Sequence, residues 1–323
     1  MEQVEAQAPI IISASRRTDI PAFYAKWFVN RLKAGYCVWY NPFNRQPVHV
    51  SFKNVKAVVF WTKNPKPLIP YLNELDERRI HYYFQFTLND YDKEKFEPNV
   101  ASVEKRIAAF IELSEKIGKE KVVWRFDPLI MTDKIGIDEL LHKVETIGNQ
   151  LKGYTEKLVF SFADIGNVYK KVENNLKRLR ILYREFTPQT MDEFASGLKE
   201  LNVNRHFSLA TCAEPIDLEH YGIEHNRCID GELMKRIFAE DEDFVYYLSY
   251  GQFPDKNLLF PVEMPKKEAD LKDRGQRKNC GCIISKDIGM YNTCPHFCVY
   301  CYANASKETV AKNRESSVIA PLI

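Results

Sequence analysis

The chain has 323 residues, of which 45% are hydrophobic and 13% aromatic, and this composition predicts a folded protein with a large core. Its 46 basic and 44 acidic residues give a net charge of +2, so overall charge provides no signal for nucleic-acid binding. A membrane span would need a run of about 18 apolar residues, and the sequence has none. The first ten residues lack the order of a signal peptide, which predicts a cytoplasmic protein.

Short runs rich in β-branched and aromatic residues predict strands, with helical patterns between them. The predicted strands are 10–13, 57–61, 82–88, 122–126, 158–162, 206–211 and 282–285. The predicted helices are 103–117, 138–147, 172–185, one that begins with a capping box at Thr190 and Glu193, and 304–315. This alternation, without a GxGxxG motif after the first strand, favours a parallel βα barrel, complete or partial, over a doubly wound sheet.

One change of composition divides the chain. Residues 1–263 are predicted to form the body of the barrel. Residues 264–323 begin with a basic, polar stretch and continue into a cysteine-rich segment, which we expect to complete the same domain.

Polar side chains follow several predicted strands, at the edge where a βα barrel places its active site. SRRTD at 15–19 comes directly after an apolar strand, and Asp164 follows a later one. Loops are polar in most proteins, so any one such residue is a weak signal. Arg125 lies inside a strand pattern, where an arginine needs a carboxylate or an anionic ligand. We therefore predict Arg125 and Asp127 as catalytic residues.

Five of the eight cysteines lie within 22 residues. Cys294, Cys298 and Cys301 form C-x3-C-x2-C within CPHFCVYC. Three thiolates at this spacing suit a 4Fe–4S cluster whose fourth iron has no protein ligand. A zinc site completed by His296 is the alternative, but a histidine between two ligand cysteines is badly placed to reach the same ion.

Four further cysteines would form a complete ligand set with no open position. They are Cys212, Cys228, Cys280 and Cys282. We predict a second 4Fe–4S cluster there, and zinc is its main alternative because four thiolates suit tetrahedral zinc equally well. Ordinary burial would also account for Cys212 and Cys228, and Cys37 is predicted to lie in the core.

The motif CPHFCVYC, with Tyr300 before its last cysteine, resembles the cluster motif of the radical S-adenosylmethionine superfamily. The continuation YCYA is similar to that of the spore photoproduct lyase-like subgroup. Over nearly the whole chain, SRRTDIPAFY together with the cysteine segment resembles domain-of-unknown-function family 1848.

The resemblance implies that S-adenosylmethionine binds the open iron and is cleaved reductively to a 5′-deoxyadenosyl radical. This radical would abstract hydrogen from a small-molecule or nucleotide substrate, with electrons from a low-potential donor such as flavodoxin or ferredoxin. The implied cluster ligands are Cys294, Cys298 and Cys301, and Tyr300 would lie near the adenine.

Two features depart from the superfamily pattern. The motif lies near the C-terminus, which implies a circularly permuted barrel in which strand 282–285 precedes the cluster loop and strand 10–13 follows. The Gly-Gly-Glu segment that holds the methionyl amine is missing, and its place falls on the SRRTD region. The candidate S-adenosylmethionine contacts are Ser13, Ser15, Arg16, Arg17 and Asp19.

Two other functions remain open at this point. The first is a nucleic-acid-binding βα barrel that an iron–sulfur or zinc site merely stabilises. The second is a metal-independent hydrolase or lyase that uses Asp19, Arg125, Asp127 and Asp164.

Overall fold

Strands and helices alternate along most of the chain, as the apolar runs predict. The computed structural model describes residues 6–168, 170–255 and 267–315, without the side chains of residues 167 and 168, so the predicted domain boundary at 263 lies outside the described residues. Strands β1 to β13 are Ala6–Gln7, Ile11–Ala14, Tyr36–Tyr40, Pro47–Ser51, Ala57–Thr62, His81–Thr87, Val122–Leu129, Met131–Thr132, Lys157–Phe162, Tyr183–Arg184, Ser208–Thr211, Ile223–His225 and Lys286–Asp287. Helices α1 to α11 are Ile20–Phe23, Ala25–Ala34, Asn73–Asp76, Val103–Ile117, Ile137–Leu151, Ile165–Val168, Lys170–Arg178, Pro188–Asn202, Gly231–Ile237, Glu242–Tyr250 and Lys307–Glu315.

A large parallel sheet carries the fold. Its strand order is β12-β11-β9-β7-β6-β5-β2-β13, and neighbouring strands are parallel throughout. The predicted α/β class with a parallel sheet is therefore confirmed. The sheet is an open row, however, so the complete barrel is wrong within the described part of the chain. The strands at its two ends, β12 and β13, have only three and two residues, and they do not pair with each other in the described part of the chain.

The two faces of the sheet are packed differently. Side chains such as Ile12, Val58 and Phe84 belong to the larger apolar cluster, together with the helices. Side chains of the opposite, inner face, such as Val59, form a second cluster with residues that follow β12, including Met234. We call this second surface the inner face. No described helix is long and apolar enough to cross a membrane.

Most predicted elements are found, and three are shifted. The strand predicted at 282–285 is wrong, because Ile283 and Ile284 donate their backbone N–H groups to the loop carbonyls of Ile229 and Leu271. The polar pair Lys286–Asp287 joins the sheet instead, beside β2.

The other two shifts concern helices. The helix predicted at 172–185 ends at Arg178, because residues Tyr183–Arg184 pair with β8. The capping box lies at Thr187 and Thr190, three residues before the predicted one, since Pro188 occupies the first helical turn. Cys37 is fully buried in β3, as predicted.

Candidate functional site

Residues 290–301, which we call the cysteine loop, cover the carboxyl ends of β2, β5 and β6. The His296 imidazole Nε2 lies 2.8 Å from an oxygen of Asp19, which follows β2. The Tyr24 hydroxyl donates to the Thr293 carbonyl (2.6 Å), and the Val299 N–H donates to the carbonyl oxygen of residue 96. The loop is therefore fixed at the edge of the sheet where the sequence predicts an active site.

Asp19 is the main anchor on β2. Its carboxylate accepts hydrogen bonds from the Ala22 N–H, the Thr62 hydroxyl and the Lys63 N–H, in addition to its contact with His296. These bonds cap α1 and join β2, β5 and the cysteine loop. The structure assigns Asp19 this positioning task, and its contact with S-adenosylmethionine stays a prediction. His296 is a hydrogen-bonding histidine, as its position in the motif led us to expect.

Tyr300 anchors the other end of the loop through a buried carboxylate. Its hydroxyl donates to Glu97 and accepts from Lys63 Nζ (3.0 Å) and Asn89 Nδ2 (2.9 Å). Glu97 also forms ion pairs with Lys63 (2.7 Å) and Arg106 (2.9 Å). Burial raises the pKa of Glu97, but the two cations outweigh it and hold the pKa below its usual value.

The three cysteines of the loop are placed close enough to affect one another. Cys298 is buried, and Cys294 and Cys301 are half-buried. Burial raises the pKa of Cys294 to about 12, and the nearby Cys301 adds to this shift. Burial also raises the pKa of Cys298, with contributions from both other thiols. The motif therefore places its three thiols within electrostatic range of one another, and their action as one ligand set stays a prediction.

Two buried polar atoms beside the cysteine loop have no hydrogen-bond partner in the described part of the chain. They are Thr18 Oγ1 and Asn304 Oδ1. The amide nitrogen of Asn304 donates to the Cys294 carbonyl (2.7 Å), which places its free oxygen at the base of the loop. Buried polar atoms are normally paired, so this pair of atoms and the thiols fit a bound polar group with a soft metal. Within the described ranges, no three His, Cys, Asp or Glu side chains already surround a metal-ion position.

The SRRTD segment is tied to β13 by a single carboxylate, Asp287. It accepts from the Ser13 and Ser15 hydroxyls at 2.9 Å, from the Arg16 N–H at 2.9 Å and from Arg17 Nη1 at 3.3 Å. The predicted S-adenosylmethionine contacts in this segment are therefore brought together, and the two serines already use their hydroxyl protons. Sequence reasoning missed Asp287, and its only signal was a carboxylate just after the apolar run 282–285.

The other four predicted ligands come from three separate parts of the chain and contact one another in pairs. We call Cys212, Cys228, Cys280 and Cys282 the seam cysteines. Cys212 Sγ lies 3.4 Å from Cys228 Sγ. Cys282 Sγ accepts from the backbone N–H groups of Cys228 (3.2 Å) and Ile229 (3.3 Å). A hydrogen bond with Cys282 lowers the pKa of Cys280 to about 6.

Two arginines donate to the seam cysteines. Arg125 Nη1 lies 3.2 Å from Cys228 Sγ, and Arg16 Nη2 lies 3.3 Å from Cys282 Sγ. Arg125 also pairs with Asp127, which accepts from the Ser161 hydroxyl. Burial lowers the pKa of Arg125, yet the negative charges of Cys228, Cys212 and Asp127 raise it well above its usual value. The expectation that this arginine needs an anionic partner is confirmed, and the catalytic roles of Arg125 and Asp127 stay predictions.

Glu214 is a buried carboxyl group near Asp127 that sets a testable pH dependence. Burial raises its pKa from 4.5 to about 7. Protonated Glu214 thus stabilises the fold fully below the pKa of the unfolded chain, and this contribution is lost as pH rises through about 7. We expect Glu214→Gln to remove about 3 kcal/mol of this pH dependence, as measured by urea unfolding at a series of pH values.

Glu219→Gln is the matched control for that measurement, because Glu219 lies nearby and is exposed. In this variant, the free energy of unfolding should change with pH as it does in the unchanged protein. If the free energy of unfolding changed with pH equally in all three proteins, Glu214 would be charged in the folded state at neutral pH.

The fold and the site define an α/β protein with two groups of cysteines packed against a parallel sheet. The chain belongs to the family described as Domain of unknown function (DUF1848), whose model matches residues 11–303. No curated protein matches the chain. The crystal structure of a "putative alpha-L-fucosidase from Bacteroides thetaiotaomicron" is 10% identical, with a TM-score of 0.29, over 74% of this chain and 96% of that one. A similarity this low carries no argument about activity.

Proposed function

We propose that this protein is a radical S-adenosylmethionine enzyme that holds a 4Fe–4S cluster on Cys294, Cys298 and Cys301. The observation that supports this most directly is the placement of the cysteine loop. Its three thiols lie within electrostatic range of one another, and the Asp19–His296 and Glu97–Tyr300 contacts fix the loop at the carboxyl edge of the parallel sheet. Active sites of parallel βα folds lie at that edge.

The strand order supports the permuted arrangement. The segment that precedes the cysteine loop pairs through β13 with β2, the first strand of the large sheet. A chain that enters the loop from β13 and resumes at β2 places the motif between two neighbouring parallel strands. The resemblance to the superfamily implies this same position between two strands. Here the strand before the motif lies near the C-terminus, and the strand after it lies near the N-terminus.

The residues around the loop suit the proposed cofactor. When bound, the cluster and S-adenosylmethionine would supply a 5′-deoxyadenosyl radical for hydrogen abstraction. The three thiolates would hold three irons. The free Thr18 hydroxyl could donate or accept a hydrogen bond with a polar ligand, and the free amide oxygen of Asn304 could accept one. Both groups of cysteines need a reducing compartment such as the cytoplasm to remain thiolates.

The inner face provides the surface for a substrate. The Arg125–Asp127 pair and the Ser161 hydroxyl lie there, towards the carboxyl ends of β7 and β9. An arginine with a neighbouring carboxylate and a hydroxyl group suits a small polar molecule or a nucleotide. These three groups would orient the substrate by directed hydrogen bonds. We propose a flavodoxin or ferredoxin as the electron donor.

Anaerobic reconstitution with iron and sulfide, followed by electron paramagnetic resonance of the reduced protein, tests this function. We expect the cluster signal to change when S-adenosylmethionine is added, because the ligand would bind the open iron, and 5′-deoxyadenosine to form. A protein that holds iron and sulfide but shows neither the spectral change nor the product would contradict the proposal.

A further inference from the structure

The open sheet has a gap between its two edge strands, β12 and β13, which we call the seam. The seam cysteines lie on both sides of this gap. Cys212 follows β11 and Cys228 follows β12, at one end of the strand row. Cys280 and Cys282 come just before β13, at the other end. We infer that these four thiolates form a closed metal centre that fastens the two edges of the sheet to each other. This inference does not depend on the proposed function.

Contacts across the seam are made by sulfur and by loops in place of strand pairing. The N–H groups of Cys228 and Ile229 donate to Cys282 Sγ from the β12 side. The Ile283 N–H donates to the Ile229 carbonyl at 3.1 Å in the opposite direction. The 3.4 Å between the Cys212 and Cys228 sulfurs is close to the separation of about 3.8 Å that Zn–S bonds of about 2.3 Å give in a tetrahedral site.

The charges around the seam cysteines fit a bound metal centre. Four thiolates with a doubly positive metal core carry an excess of about two negative charges. The guanidinium groups of Arg16 and Arg125 each donate to one of the sulfurs, and Asn226 Nδ2 donates to Cys228 Sγ at 3.3 Å. Hydrogen bonds to metal-bound sulfur are the usual outer shell of thiolate sites.

Ordinary, uncharged thiols would give the two arginines no anionic partner at the seam. A buried guanidinium costs free energy unless an anion compensates it, and Arg125 is only 3% exposed. Asp127 supplies one negative charge to Arg125. Arg16 is half-buried and directs its guanidinium at Cys282 Sγ and at the Trp61 ring, 5.1 Å away, so a metal-bound thiolate at Cys282 would give this cation an anionic contact.

The chemistry of the centre is four-thiolate ligation without an open position. A single zinc ion and a 4Fe–4S cluster both accept this ligand set. Either one would hold β13 against the segment after β12. Since the cysteine loop follows β13 directly, the centre would also fix the starting point of that loop.

Metal analysis of a chain that lacks the cysteine-loop thiols isolates the seam centre. In the variant Cys294→Ser/Cys298→Ser/Cys301→Ser, we expect either one zinc ion or about four irons with sulfide to remain per chain. Adding Cys228→Ser should remove that metal, and Cys37→Ser, a buried cysteine outside both groups, should not. A triple variant that holds no metal after reconstitution with zinc or with iron and sulfide would overturn the inference.

Hydrogen exchange tests the fastening of the seam in the otherwise unchanged chain. Cys280 is half-buried, so Cys280→Ser should fold. We expect faster amide exchange in residues 223–230 and 282–288, and unchanged exchange in β6 and β7, where the strand ladder is complete. Exchange at the seam equal to that of Cys37→Ser would show that no such centre joins the two edges, and retention of full metal by Cys280→Ser would exclude the four-thiolate ligand set.

Discussion

Replacing Cys298 with alanine should reduce 5′-deoxyadenosine formation to the background rate and lower the iron content by about four atoms per chain. A cluster with one open iron depends on three thiolates, and the variant keeps only two of them. Cys298 is the most buried of the three loop cysteines, and burial raises its pKa although the positive charge of Lys63 acts in the opposite direction. The measurement is product formation and iron content after anaerobic reconstitution.

Cys37→Ala is the matched control for this experiment. Cys37 is fully buried in β3, far in sequence from both cysteine groups, so its replacement tests the effect of losing a buried thiol alone. The control should retain both iron and product formation. If Cys298→Ala retained them as well, the cysteine loop would not hold the cluster.

Replacing Arg106 with leucine is expected to lower the free energy of unfolding by about 3–5 kcal/mol, because it leaves a buried carboxylate with less compensation. Arg106 bonds to Glu97 at 2.9 Å and to Asp92 at 3.0 Å, and the side chains of Arg106 and Glu97 are each 1% exposed. Glu97 also binds Tyr300, so the change should reach the cysteine loop. Urea unfolding measures the loss.

The exposed pair Lys66–Glu112 provides the control for Arg106→Leu. Its atoms are 3.7 Å apart, and both side chains are more than half exposed. Lys66→Leu should therefore change the free energy of unfolding by less than about 1 kcal/mol. A loss of that small size in Arg106→Leu would mean that the buried network contributes little to stability.

The helices and central strands follow from local sequence patterns. Helix α4 begins and ends where its apolar stripe and Gly118 predict, at Val103–Ile117. The central strands are read equally well, because both of their faces are buried and their residues are apolar throughout. The edge strand Lys286–Asp287 has neither property, and the prediction placed it in the apolar run just before it.

In the candidate site, too, local sequence patterns predict some of the residues and not others. The spacing of Cys294, Cys298 and Cys301 is a local signal, so the sequence alone is enough to predict the loop as a ligand set. Glu97 has no such signal. Its burial is stabilised by Lys63 and Arg106, which come from other elements, and no pattern around residue 97 indicates that they meet there.

By itself, the sequence determined the α/β class, the central strands and helices, and the C-x3-C-x2-C spacing of the cysteine loop, because periodicity and spacing act over short stretches of chain. Only the tertiary structure decided that the sheet stays open, that Asp287 ties the SRRTD segment to β13, and that Arg16 and Arg125 face the seam cysteines. These features join residues more than 100 positions apart, and the burial and pairing of charge that determine them exist only once the chain is folded.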